Sequence, residues 1–224
     1  MDFTSESSAT VLLPEAEGPH PLDSELVGIT KTFPWQWKDR SISLNEDLPP
    51  EVETVFLLAD SSVDPADQIE ATKSFLDLRD LTLGRILTLV HCGLAEAKPE
   101  LIPWYQGCIH FSDVVLLNRR ENVSQKWIRE FQDGFRQEYF PCFFELVKKG
   151  CVANTMHVLD PTPRRISLFF EEDGGDESFV DEDAESLDLP AEDPYLARYP
   201  SGLRCKPLPD APSILGSNTN TPST

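Results

Sequence analysis

The chain has 224 residues, with 19 Lys and Arg against 39 Asp and Glu, and a formal net charge of −20. That length holds one domain with tails or two very small domains, and it can bury a core without disulfides or metal. The charge leaves no basic footprint for nucleic acid and would be repelled by an anionic membrane surface.

The acidity is uneven. Residues 171–193 hold twelve acidic residues and no Lys or Arg, whereas residues 51–170 hold 17 acids and 13 bases and are nearly balanced. The start, Met1-Asp2-Phe3-Thr4-Ser5-Glu6, has neither the positive n-region nor the apolar h-region of a signal peptide. Apolar runs such as 55–59 and 86–90 have strand length and are far too short to span a bilayer. Five scattered cysteines, Cys92, Cys108, Cys142, Cys151 and Cys205, suit reduced thiols in a cytoplasmic protein better than a disulfide frame. The sequon at Asn122-Val123-Ser124 has no consequence without export.

In chain order, residues 1–24 are rich in Ser, Glu and Pro, lack periodicity and are expected to be disordered. Residues 25–50 form an arm in which Phe33, Trp35 and Trp37 alternate with Pro34 and Gln36, and Pro34 would confine that strand to an edge. The α/β core is expected over 51–170. Residues 53–60 (ETVFLLAD) read as a buried strand. Asp64-Pro65-Ala66-Asp67 then starts a helix, with Asp64 as cap, Pro65 in the first turn and Asp67 at the positive end of the dipole.

Residues 85–92 (RILTLVHC) read as the second strand, 100–108 as a short helix and 113–118 (DVVLLN) as the third strand. Ser124 caps the clearest helix, along which Ile128, Phe131, Phe135 and Tyr139 make one apolar stripe that ends before Pro141. Residues 143–148 suit a fourth strand and 165–170 a fifth. Near-continuous apolar strands separated by helices predict a mostly parallel sheet of about four strands with helices on both faces. Residues 171–224, acidic and then rich in Pro, Ser and Thr, are expected to form a flexible tail.

Two motifs in this core resemble the CobW-type GTPases, a branch of the P-loop NTPases tied to metal and cofactor delivery. Leu58-Ala59-Asp60-Ser61-Ser62-Val63-Asp64-Pro65, followed by a helix, is similar to the family's E-T-[ST]-G-x-[AS]-D-P. Asp113-Val114-Val115-Leu116-Leu117-Asn118-Arg119-Arg120-Glu121 is similar to its guanine-reading A-D-x-x-x-x-N-K-x-D. Order and spacing agree over residues 53–121. The resemblance implies the second half of a P-loop NTPase fold, with Asp60, Ser61, Ser62, Asp64, Asn118, Arg119 and Glu121 along a nucleotide crevice.

The phosphate cradle is absent, because no G-x-x-x-x-G-K-[ST] occurs in the sequence, and Gly28-Ile29-Thr30-Lys31-Thr32 lacks the loop length. Ser61 replaces the family's Gly, Arg119 its Lys and Glu121 its Asp, and the C-x-C-C metal motif is missing. The extra methylene of Glu121 displaces the carboxylate, and the planar head of Arg119 needs different space from an ammonium. Without the cradle, phosphoryl transfer loses its main electrostatic support. The resemblance therefore implies a non-catalytic interaction or regulatory protein on a degenerate GTPase fold, with no resident cofactor and at most weak binding of GTP and magnesium. A GTP-dependent metal or cofactor chaperone component, completed by a separate phosphate-loop subunit, is the alternative.

Other residues offer other chemistry. His91, at the carboxyl end of a strand, could join Asp60, Ser61, Ser62, Asn118 and Glu121 in a small hydrolase, although no G-x-S-x-G elbow exposes a nucleophile. His91, Cys92, Cys108 and His110 have zinc-binding chemistry, but they sit at opposite ends of parallel strands, roughly 15–20 Å apart for strands of this length. Buried thiols are the plainer expectation, and no metal site is assigned. Trp35, Trp37, Trp104, Tyr105 and Trp127 suit a core face better than an aromatic binding surface. Arg164-Arg165-Ile166-Ser167 has the pattern of a basic phosphorylation site, but a strand start before alternating apolar residues is the plainer expectation. The expected partner is another protein, or a second copy of the chain covering a sheet edge in a homodimer.

Overall fold

The computed structural model describes residues 9–18, 20, 31–171 and 192–216. Most of the stretches expected to be disordered, 1–8, 172–191 and 217–224, lie outside the described residues. The chain divides into two compact units, Met1–Leu81 and Thr82–Thr224. The expectation of one core over 51–170 is thereby corrected, because the boundary falls inside that range.

Unit 1 is built on a four-stranded sheet of β1 (Ala9–Pro14), β2 (Lys31–Lys38), β3 (Ser41–Leu44) and β4 (Thr54–Leu57), in the order β3-β2-β1-β4. β1 is parallel to both β2 and β4, and β3 is antiparallel to β2. The first correction concerns residues 1–24, since Ala9–Pro14 is a central strand and not disordered chain. Its run Ala-Thr-Val-Leu-Leu-Pro is apolar enough to be buried on both sides, but it is embedded in Ser, Glu and Pro.

The second correction concerns the arm. β2 lies between two strands and not at an edge. Its proline is tolerated because pairing with β3 begins only at Trp35, so at Pro34 the strand has β1 alone as a partner. Asp39 and Arg40 close the β2–β3 hairpin with φ of 49° and 58°, the left-handed pair of a tight two-residue turn.

The helix α1 (Pro65–Asp77) follows β4. Its Ala71 and Phe75 pack with Leu12, Trp35 and Ile42, and Phe33, Val55 and Leu57 close around them. Trp35 is only 1% exposed and donates its indole N–H to the Leu58 carbonyl at 3.0 Å, so the alternating aromatics of the arm are core and not a binding surface.

Unit 2 carries a separate three-stranded sheet, all parallel, of β5 (Leu87–His91), β6 (Val114–Asn118) and β7 (Phe143–Leu146), in that order. The single sheet of about four strands is thus corrected to two sheets, with β4 in a different sheet from β5–β7. Helices α2 (Cys92–Ala97), α3 (Ile102–His110) and α4 (Gln125–Gln137) connect the strands. Their apolar residues, including Tyr105, Ile109, Ile128, Phe131 and Phe135, pack with Val90, Val115 and Leu117 in one cluster.

Those strand residues alternate with Leu87, Leu89 and Leu116, so the three helices cover one face. On the opposite face, α5 (Thr155–Leu159) reaches β7, where His157 stacks on Phe143 with ring centroids 4.0 Å apart. Coverage of both faces is therefore unequal, and Leu89 on the edge strand β5 is 57% exposed.

Residues 165–170 are not a fifth strand. Arg165 and Ser167 turn inward in irregular chain, and the Arg165 guanidinium is drawn to Asp113. Residues 194–216 are folded in place of the expected flexible tail, with Tyr195 and Leu196 buried and a helix α6 at Ala211–Gly216. Among the described residues, no helix is long and apolar enough to cross a membrane.

Candidate functional site

The strand-end candidates fall in both units. Asp60 to Asp64 follow β4 in unit 1, whereas His91, Asn118, Arg119 and Glu121 follow β5 and β6 in unit 2.

In unit 1 the chain leaves the sheet through a turn organised by side chains. Asp60 is buried, and its Oδ1 accepts from the Ser62 backbone N–H at 2.9 Å and from the Ser62 hydroxyl at 2.6 Å. Gln68, one turn into α1, donates from Nε2 to the Asp60 carbonyl and accepts from the Asp60 N–H at Oε1, both under 2.9 Å. Asp64 caps α1 by accepting from Ala66 N–H at 2.8 Å and Asp67 N–H at 3.3 Å. The Ser61 N–H is turned to the Glu17 carboxylate. Asp64 satisfies amides that the start of α1 leaves without partners, Asp60 and Glu17 satisfy turn amides just before it, and an anionic phosphate would meet negative charge here.

In unit 2 the parallel register places His91 directly beside Asn118. His91 caps α2, its Nδ1 accepting from the Leu94 N–H at 3.0 Å. An Nδ1 used as acceptor puts the proton of the neutral ring on Nε2. The His91 N–H donates to the Tyr105 hydroxyl. The Asn118 Oδ1 accepts from the next amide, Arg119 N–H, at 2.8 Å.

Arg119 lies in the left-handed region with φ 52°, which lets its carbonyl accept from the Gly93 N–H at 3.2 Å and ties the two strand-end loops together. The neighbouring Arg120 donates to the Val147 carbonyl at 3.0 Å. Glu121 is exposed in the turn before α4. Ser124 caps α4 by accepting from the Trp127 N–H at 3.1 Å.

The remaining candidates resolve into structure. Cys92 is fully buried, and burial pushes its thiol up to about 11. Among the described residues, no group of three or more His, Cys, Asp or Glu is placed to hold a metal. Tyr105 is core, Trp104 packs against the same cluster, and Trp127 stacks on Phe131 with centroids 5.1 Å apart. Ser167 is 2% exposed, out of reach of a kinase in this fold. A depression of about 320 Å³ in unit 1 is lined by Thr32, Phe33, Pro34, Asn45 and Glu46, none of them a candidate.

The polar residue with the largest structural role was not singled out from the sequence. Asp113 is fully buried, and its carboxylate accepts from Ile86 N–H, Arg164 N–H and, through both oxygens, the Arg165 guanidinium, all within 3.0 Å. Arg165 also reaches Glu171 at 2.7 Å. The available signal was an acid at the mouth of an otherwise apolar strand, DVVLLN. The chain matches no family model, no curated protein and no solved structure.

Proposed function

We propose that the chain is a non-catalytic interaction protein built on a degenerate relative of the CobW-type GTPase fold. The observation that carries this reading is how the crevice candidates use their polar atoms. Asp60, Asp64, His91 and Asn118 each have an acceptor atom engaged with a backbone amide one to three residues further along. Groups committed to holding turns and helix starts are not poised for proton transfer or phosphate chemistry.

The resemblance retains support from the parallel β5-β6-β7 sheet with Asn118 to Glu121 at its carboxyl end, where open α/β sheets bind ligands. The partner-binding half of the reading draws on the exposed leucines of the edge strand β5. The test is a GTP hydrolysis assay on the purified chain with magnesium. No turnover above buffer is expected. Hydrolysis that Asn118→Ala abolishes would overturn the reading.

A further inference from the structure

We infer that α3 carries a peptide-docking site, which residues 192–216 of the same chain occupy as a releasable strap. The inference names the partner chemistry for the interaction reading above and rests on it.

The strap is knitted to itself. Leu196 and Ala197 N–H donate to the Asp193 carbonyl at 3.0 and 2.8 Å, Tyr199 N–H to Leu203 O at 2.8 Å, and Cys205 N–H to Ala197 O at 2.9 Å. Arg204 donates to the Leu196 carbonyl and Arg198 to the Gly202 carbonyl. A segment that keeps such bonds when it lifts away loses less on release than a strand pulled from a sheet. Of the residues in 192–216, only Tyr195, Leu196 and Ala211 are buried.

The seat on α3 is specific. His110, itself buried, directs Nε2 at the Asp193 carboxylate at 2.8 Å, and its ring lies 4.9 Å from that of Tyr195. One turn earlier, Gly107 has no Cβ because Leu208 occupies that space. A Cβ there would lie 2.3 Å from Leu208 Cδ2. Further on, Lys98 donates to the Ile214 carbonyl at 2.6 Å and Ala211 enters the main core.

With the strap lifted, His110 would be a part-buried donor beside a small-residue notch. That combination fits a peptide with a carboxylate two positions before an aromatic residue, as in Asp193-Pro194-Tyr195-Leu196, and a leucine to fill the notch. A ligand of this kind competes with the strap, whose attachment in the same chain gives it a high effective concentration.

The experiment uses the full chain and a fluorescent peptide copying residues 192–216, read by polarisation, with hydrogen exchange of the protein in parallel. In Asp193→Ala the weakened strap should yield, and the peptide should bind about tenfold or more tighter than to the parent chain. Adding Gly107→Leu should remove that binding, and a peptide carrying the Asp193→Ala change should not bind. Strap amides should exchange faster while α4 amides keep their protection. Asp193→Asn provides the same comparison with less change of shape. Equal peptide binding by parent and variant, or loss of strap and α4 protection together, would overturn the inference. Neither readout involves nucleotide, so failure of the strap inference and failure of the functional reading are told apart.

Discussion

Asp113 shows what a single enclosed charge costs when its partners are removed. Its carboxylate neutralises Arg165 and satisfies two backbone amides, with Arg85 a further 3.9 Å away. Asp113→Ala leaves the buried Arg165 guanidinium with Glu171 alone as counter-charge and two enclosed amides without an acceptor, and urea unfolding should show a loss of about 3–5 kcal/mol. Cysteine reactivity gives an independent check on burial. Desolvation pushes the Cys92 thiol up to about 11 and the Cys142 thiol up to about 12, whereas Cys151 and Cys205 are exposed. A thiol reagent at mildly alkaline pH should modify Cys151 and Cys205 promptly, and Cys92 and Cys142 only on unfolding. At this scale the sequence was informative where the signal is local. Asp64 and Ser124 were recognisable as caps because a cap acts within three residues. The partnership of Asp113 with Arg165 was not, because 52 residues separate them and no local pattern encodes the pairing.

Helices announced themselves more clearly than strands. Of the stripe Ile128, Phe131, Phe135 and Tyr139, the first three became the buried face of α4, since a 3.6-residue period survives whatever the chain packs against, whereas Tyr139 lies beyond the helix end and is 90% exposed. β1 did not announce itself, because a six-residue, mostly apolar run inside a polar, proline-rich stretch carries no period to count. Helix caps offer a clean test of element strength. Asp64→Ala removes the acceptor for two amides of α1 and should cost about 1 kcal/mol in thermal or urea unfolding.

The strap brings a pH dependence. Burial pushes the Asp193 carboxyl up, but hydrogen bonds from His110 and Ser167, the His110 charge and the Tyr195 N–H outweigh it, and the net shift is below the usual 3.8. A carboxyl lowered in the folded state adds stability that is complete above its unfolded value and is lost as pH falls through the folded one. The Tyr195 ring lies tilted against His110 at 4.9 Å, with the Lys206 ammonium 4.1 Å from its centroid. Hydrogen exchange of residues 195–197 should therefore accelerate as pH drops below about 4, beyond the intrinsic pH trend, and Asp193→Asn should remove that excess.

At the scale of the molecule, the alternation of strands and helices correctly indicates α/β structure, and the parallel pairing of β5, β6 and β7 follows from it. The partition into two sheets was not legible, because consecutive apolar strands look the same whether they pair with each other or with strands far away in the chain. β4 pairs with β1, some 45 residues earlier, and not with β5. That topology separates the two family-like motifs into two units, each with its polar groups engaged locally.

The central claim is that these motifs are retained as structure and not as a working nucleotide site. A calorimetric titration of the purified chain with GTP and magnesium, with ATP as control, tests it most directly. The account predicts no saturable, guanine-specific binding at micromolar concentrations. Micromolar binding that prefers GTP and is lost in Asn118→Ala would contradict it.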